Sequence, residues 1–277
     1  MHKGKLIVIE GVPGSGKTTL RAALVREFES RGVPFVETAE PTEEPTRLNY
    51  FGVAIRKLIE RKSLTDEDIE RVRASARALF AGDDEEESTA RRKEFNRRFS
   101  VAITKIINRR ELTELERQLF FIADRWFHLV ETVRPALMAG TWVIMDRYER
   151  STEAHYQTVA DSDANFLERW QDPALGDLYV RPAWCFYLRV SPETAFARQR
   201  ISGKMIDRYE ENFAQVRTLV RRYHEVFLDF RRAPEGSPRR HYPFVSLDAE
   251  RSADNVVAQA LSSISFPLRR SEEPRFV

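Results

Sequence analysis

A glycine-rich segment near the N-terminus carries the residue types that hold phosphate groups. Residues 8–19 read V-I-E-G-V-P-G-S-G-K-T-T, which contains the pattern G-x-x-x-x-G-K-S/T. Its three glycines let backbone N–H groups converge on phosphate oxygens. Lys17 supplies a point charge to the β- and γ-phosphates, and Thr18 offers a hydroxyl to Mg²⁺. The residues expected at the phosphates are Gly11, Gly14, Ser15, Gly16, Lys17, Thr18 and Thr19.

The segments on either side of this loop are those that a phosphate-binding loop needs. Residues 5–9 form a short, β-branched apolar run, as expected for a buried parallel strand. Residues 18–30 carry apolar side chains at helical spacing. The N-terminus of such a helix adds partial positive charge where the phosphates would sit. Strand, loop and helix in this order argue against a chance glycine turn.

A second candidate for the same chemistry is a carboxylate at the end of another strand. Asp146 directly follows the apolar run Trp142–Met145. An aspartate after a strand is usually a turn residue, but beside a phosphate loop it can hold Mg²⁺, directly or through water. Thr18 and Asp146 are therefore the expected metal-binding pair.

Composition and net charge limit the classes of protein to which this sequence can belong. The 277 residues are 42% apolar, and the net charge of +2 gives no strong field for nucleic acid or membrane partners. The single cysteine, Cys185, excludes an internal disulfide and is typical of a reducing compartment. No apolar stretch approaches the length of a membrane span, and no signal peptide precedes the first strand. We expect a cytoplasmic protein.

Alternating apolar strands and amphipathic helices predict an α/β protein. We expect a three-layer P-loop NTPase fold in one domain over 1–277, with a mainly parallel sheet flanked by helices. Residues 63–112 are dense in charge and poor in glycine and proline, which predicts an inserted, charged helical hairpin outside the catalytic machinery. Residues 266–277 are expected to form a loose tail.

The remaining motifs resemble those of the thymidylate kinase family of nucleoside-monophosphate kinases. They are, in order, EGxxGxGKTT, EP, FFIADRWFH, PALMAGTWVIMDRY, FYLxVxPE and DRYE, and they span most of the chain except 63–112 and the tail. The resemblance implies transfer of a phosphoryl group from ATP, with Mg²⁺, to a nucleoside monophosphate, with dTMP favoured. It also implies a homodimer packed through helices, provided that the insertion leaves that surface intact.

The resemblance assigns roles to single residues. Phe121 stands where the family stacks an aromatic ring on the acceptor base, although a core phenylalanine is the simpler interpretation. Arg125 matches an arginine that contacts the acceptor, and Arg147 matches the one that reaches its phosphate. Guanidinium groups suit phosphate because they donate two parallel hydrogen bonds. His155-Tyr156 either replaces a Tyr-Gln pair or marks a helical bulge, and Tyr156 is the acceptor-binding candidate of the two.

The segment 197–209 resembles the family's lid over the phosphates. Members without a basic residue in the phosphate loop place catalytic arginines in this lid, and Gly14 occupies that loop position here. The resemblance therefore makes lid cations candidates for neutralising the transferring phosphoryl group. They are Arg198 and Arg200, with Lys204 and Arg208 as further candidates.

Three departures from the family concern the acceptor side. Pro13 replaces a carboxylate that holds the acceptor sugar, and Ala39 replaces a phosphate-binding arginine. Arg47 is one candidate to substitute for that arginine. Two Glu-Pro pairs, at 40–41 and 44–45, compete for the family position. These departures leave open a kinase for another deoxynucleotide or a nucleoside, or a nucleotide-binding switch without turnover.

Overall fold

The computed structural model describes residues 4–81, 90–158, 166–202, 212–229 and 244–266. Five strands form one parallel sheet in the order β2-β3-β1-β4-β5. The strands are β1 (Leu6–Glu10), β2 (Phe35–Ala39), β3 (Trp142–Asp146), β4 (Trp184–Arg189) and β5 (Phe244–Asp248). The predicted α/β fold, with helices flanking a parallel sheet, is confirmed. Among the described residues, no helix combines the length and apolar character that a membrane span requires.

Helices connect the strands, as parallel pairing requires. The first connections use α1 (Lys17–Arg31), α2 (Phe51–Ile59), α3 (Asp66–Phe80), α4 (Ala90–Ile107), α5 (Glu114–His128) and α6 (Arg134–Met138). The later ones use α7 (Glu149–Gln157), α8 (Asp172–Leu175), α9 (Pro192–Ser202) and α10 (Phe213–Asp229), and α11 (Ala253–Ser263) follows β5. A π-helical turn, Leu129–Val133, joins α5 to α6, so the three form one nearly continuous helix.

Strand register brings the two predicted chemical motifs together. Ile9 of β1 pairs with Asp146 of β3, and the Arg147 N–H donates to the Ile9 carbonyl at 2.9 Å. β1 is the central strand, and the glycine loop begins directly after it. Because the carboxyl ends of parallel strands meet at one edge, Asp146 and the loop share that edge.

Apolar side chains form two cores. The first lies around the sheet and includes the fully buried run Leu6–Ile9. The second lies away from the sheet and is built by α2, α3, α4 and α5 together with residues 166–174.

The predicted insertion therefore contains two helices, α3 and α4, and both contribute buried side chains to the second core. Thr65 caps α3, because its side chain accepts from the Asp68 N–H. At the other end of the chain, Phe266 packs edge-on against Phe28, with ring centroids 5.1 Å apart. Residue 266 is thus part of the first core, whereas the rest of the predicted tail lies outside the described residues.

Candidate active site

The phosphate-binding loop has the backbone that its sequence predicts. Gly11, Gly14 and Gly16 all adopt positive φ, at 149°, 79° and 98°. A Cβ on Gly14 would lie 2.4 Å from the Ala195 carbonyl oxygen of α9, so this position excludes larger residues. The close approach also fixes the loop against α9.

Lys17 and the first turn of α1 complete the loop. Lys17 is the first residue of α1, and its Nζ donates to the Gly11 carbonyl at 2.9 Å and to the Val12 carbonyl at 3.2 Å. Among the described residues no side-chain hydrogen bond caps α1, and the N-terminus of a helix carries partial positive charge that suits an anionic ligand. Thr18 and Thr19 are solvent-exposed in that turn.

Asp146 satisfies a simple test for a magnesium ligand. Its Oδ1 is buried and has no hydrogen-bond partner among the described residues, and its Oδ2 lies 4.0 Å from Arg21 Nη1. The described residues contain no group of three carboxylate, histidine or cysteine side chains that could bind a metal on their own. A site of one carboxylate, one hydroxyl and substrate phosphates suits Mg²⁺, which keeps several waters and needs few protein ligands.

A cavity of about 200 Å³ has Arg147, the residue directly after Asp146, in its wall. It contains three of the predicted acceptor residues, Phe121, Arg125 and Arg147. Its wall also includes Glu40, Pro41 and His155, which belong to the sequence motifs. Further wall residues, which the motifs do not single out, include Arg56, Gln118, Ser151 and Thr152. The first Glu-Pro pair is thus the one at the cavity, whereas Glu44 and Pro45 are exposed.

Arg147 has an unusual backbone. Its φ of 71° lies in the left-handed region that side chains rarely adopt, and such positions cluster at functional sites. Its Nη1 donates to Tyr223 Oη at 2.9 Å and to Ser151 Oγ at 3.3 Å. The arginine is therefore held in one orientation at the cavity wall.

Arg125 mainly bonds other side chains of the protein, although its motif implies contact with the acceptor. It is 1% exposed and donates four of its five N–H groups to Glu40, Gln171 and Thr152. Burial alone would lower the pKa of Arg125, but the Glu40 carboxylate outweighs burial and raises it. One Nη1 N–H remains for an acceptor, so Arg125 can donate a single hydrogen bond while it anchors the Glu40 wall.

His155, not its neighbour Tyr156, faces the cavity. Tyr156 instead packs against Phe166, with ring centroids 4.3 Å apart. Burial, together with the positive charges of Arg147 and Lys17, lowers the pKa of His155 to about 3. The histidine is therefore neutral near pH 7, and the charge of Lys17 reaches a side chain of the cavity wall.

The structure also separates two arginines that the sequence treats alike. Arg47 is exposed on the loop before α2 and does not line the cavity. Arg56 lies on α2 and lines the cavity, and its Nη2 donates to the Pro41 carbonyl at 2.9 Å. Ile59 and Glu60 also line the cavity, three and four residues after Arg56. Residues at this spacing share one face of a helix, which is the sequence signal that could have identified Arg56 as a cavity residue.

The lid cations occupy different places on α9. Arg198 donates to the Ala249 carbonyl at 3.0 Å, after β5, and Arg200 lies 4.8 Å from the ring centroid of Phe196. The direct side-chain contact of α9 with the loop is made by Gln199, whose Nε2 donates to the Pro13 carbonyl. Lys204 and Arg208 lie outside the described residues.

A central strand, glycine loop and helix, with a carboxylate on the adjacent strand, define a P-loop α/β kinase fold. The family model for thymidylate kinase matches residues 84–259, which is more than half of the chain. The protein belongs to the thymidylate kinase family. The match includes α4, so the family resemblance extends into the predicted insertion, 63–112, where the sequence motifs show no resemblance. Membership supports nucleoside-monophosphate kinase activity, with ATP as the phosphate donor.

Proposed function

We propose that this protein transfers the γ-phosphoryl group of ATP to dTMP, producing dTDP for nucleotide biosynthesis. The observation that carries the proposal is the position of the cavity. Its wall includes Arg147, which directly follows Asp146, and the charge of Lys17 acts on its His155. The loop follows β1, and Glu40 and Arg147 of the cavity wall follow β2 and β3, which supports a donor site and an acceptor site at the same edge of the sheet. The choice of dTMP among the monophosphates rests on family membership.

On the donor side, Lys17 and the amides of the loop hold the ATP phosphates. Thr18 and Asp146 would hold Mg²⁺, which when bound neutralises charge on the β- and γ-phosphates. Lys17 then leaves the loop carbonyls to which it donates in this structure and faces the phosphate oxygens. Arg200 of α9 is the lid cation that we propose for the transferring group, since Arg198 donates to Ala249.

On the acceptor side, Arg147 binds the phosphate of the monophosphate and Phe121 stacks on its base. Arg125 holds Glu40 in place and donates one hydrogen bond. These residues align acceptor and donor, and alignment with charge neutralisation supplies most of the catalysis in phosphoryl transfer.

Three further parts of the proposal come from composition and family. They are a cytoplasmic location, a homodimeric assembly and the absence of nucleic-acid or membrane partners. Cys185 is buried in β4, which fits a structural side chain rather than a reactive thiol. Sedimentation of the purified protein would measure the assembly.

A coupled assay of ADP release, run across nucleosides and nucleoside monophosphates, tests the proposed function. We expect the highest kcat/KM with dTMP. Nucleosides, which carry no phosphate, should not stimulate ADP release. A higher kcat/KM with another monophosphate would replace dTMP but keep the reaction. ADP release that no acceptor stimulates, despite tight ATP binding, would indicate a nucleotide-binding switch instead.

A further inference from the structure

A buried chain of hydrogen bonds links the phosphate arginine of the cavity to a carboxylate under the loop. Arg147 Nη1 lies 2.9 Å from Tyr223 Oη, which lies 2.7 Å from Ser151 Oγ. Ser151 Oγ donates to Glu10 Oε2 at 2.6 Å. Glu10 and Tyr223 are fully buried. The chain thus joins β1, α7 and α10 behind Arg147.

Burial raises the pKa of Glu10, whereas the hydrogen bond from Ser151 and the charge of Arg147 act against that rise. With Glu10 ionised, the direction of each hydrogen bond in this chain follows from the chemistry of its members. A guanidinium only donates and an ionised carboxylate only accepts, so Tyr223 Oη accepts from Arg147 and Ser151 donates to Glu10. A serine hydroxyl has one proton, so Tyr223 must donate its own proton to Ser151. Every hydrogen bond therefore points from Arg147 toward Glu10. Such a fully satisfied buried network holds its members in one arrangement.

The ring of Tyr223 is itself fixed. It stacks nearly parallel on Tyr187 of β4 and meets His155 edge-on, with ring centroids 6.4 Å and 6.1 Å away. α10, which carries Tyr223, packs along α7, which carries Ser151. An arginine side chain has many rotamers, and holding one of them requires a partner this rigid. Tyr223 is that partner, and it does not line the cavity itself.

We propose that Tyr223 is a positioning residue for phosphoryl transfer: its hydroxyl orients Arg147 toward the acceptor phosphate. The proposal rests on the proposed function, since it requires that Arg147 binds that phosphate. It adds a residue from the helix after the lid, far in sequence from every motif of the acceptor site.

Tyr223→Phe tests the proposal because it removes one oxygen atom and keeps the stacked ring. A hydrogen bond to a charged group that is lost in this way should reduce kcat/KM for the acceptor by about 10-fold or more. KM for ATP should change by less than about 2-fold, since the loop is untouched. Tyr179→Phe is the matched control, because it also removes one tyrosine hydroxyl, which donates to the Glu149 carboxylate at 3.2 Å instead of accepting from Arg147.

Two readouts separate positioning from a general structural effect. On an Arg147→Ala background, Tyr223→Phe should cause no further loss, because residues that act through one another are non-additive. Binding measured by calorimetry should weaken for dTMP but not for thymidine, which has no phosphate for Arg147 to bind. Ser151→Ala, which removes the acceptor of the Tyr223 proton, should weaken dTMP binding in the same way.

The outcomes are distinct. Full activity in Tyr223→Phe, an equal loss on the Arg147→Ala background, or equal weakening for dTMP and thymidine would each overturn the role of Tyr223 alone. If the wild-type protein neither binds dTMP nor releases ADP with any monophosphate, the proposed function fails, and the role of Tyr223 fails with it.

Discussion

Phe99 of α4 packs edge-on against Phe120 of α5, with ring centroids 4.9 Å apart. Phe99 also lies 5.2 Å from Phe51 of α2, so one aromatic cluster joins the predicted insertion to the helix that carries Phe121. The residue directly after Phe120 lines the acceptor cavity. Residues 63–112 therefore support the cavity wall from behind, although none of the described ones lines it.

This packing yields the first prediction. Phe99→Ala should lower the free energy of unfolding by about 3–5 kcal/mol, since it leaves a cavity among buried rings. Val101→Ala on the same helix should have a small effect, because Val101 is 46% exposed. Urea denaturation measures both.

Deletion of the insertion tests the same packing. Replacing 63–112 by a short linker should give insoluble protein, because the second core loses α3 and α4. A soluble, active deletion would show that the second core is dispensable.

The second prediction concerns the donor loop. Lys17→Ala should reduce kcat by about 10²–10³, because it removes a charge that acts on the transition state. The fold should survive, since Lys17 belongs to the phosphate-binding loop and to neither apolar core. Lys62→Ala, which changes an exposed lysine between α2 and α3, is the control. Near-normal turnover of folded Lys17→Ala protein would contradict the assignment of the donor site.

A third prediction separates base stacking from core packing. Phe121→Ala should raise the acceptor KM by about 10-fold while leaving the ATP KM unchanged, given that stacking contributes about 1–3 kcal/mol per base. Its neighbour Phe120 is fully buried, so Phe120→Ala should instead lower stability. Steady-state kinetics with each substrate varied, together with thermal unfolding, distinguishes the two. Equal increases in both KM values would place the base elsewhere.

Arg56 and Arg47 offer a matched comparison. Arg56 lines the cavity and Arg47 is exposed away from it, so Arg56 is the better substitute for the arginine that Ala39 replaces. Arg56→Ala should raise the acceptor KM by about 10-fold, the expected effect of a lost charge-assisted hydrogen bond. Arg47→Ala should leave it unchanged. The reverse result, from the same assay, would show that the loop before α2 folds over the acceptor.

The last prediction uses the pH dependence of stability. Because the pKa of His155 is about 3 in the folded protein, the unfolded chain, with an ordinary pKa of about 6.5, binds a proton that the folded state does not. Stability should therefore fall as pH drops below about 6.5. His155→Gln removes this contribution, so its Tm should fall less between about pH 7 and pH 5.

An exposed histidine is the control for that experiment. His224 lies on the surface of α10, and His224→Gln should show the wild-type decline of Tm with pH. Identical declines in wild-type protein and in His155→Gln would mean that the folded state accommodates the charged imidazole. Because the readout is unfolding, it does not depend on the identity of the acceptor.

The amino-acid sequence alone determined the donor side of this protein. A phosphate loop is a local structure: the positive φ of Gly14, the position of Lys17 and the start of α1 follow from a few consecutive residues. Strand order was not needed to recognise it. The parallel sheet was likewise predictable, since strands alternate with helices along the chain.

Only the tertiary structure decided the acceptor side, because its wall comes from segments far apart in the chain. Glu40 lines the cavity and is held there by an ion pair with Arg125, 85 positions away. Which of Arg47 and Arg56, or of His155 and Tyr156, faces the cavity depends on how whole helices are rotated, and motif spacing does not record that rotation. Tyr223 reaches Arg147 across 76 residues, so no local pattern could reveal it.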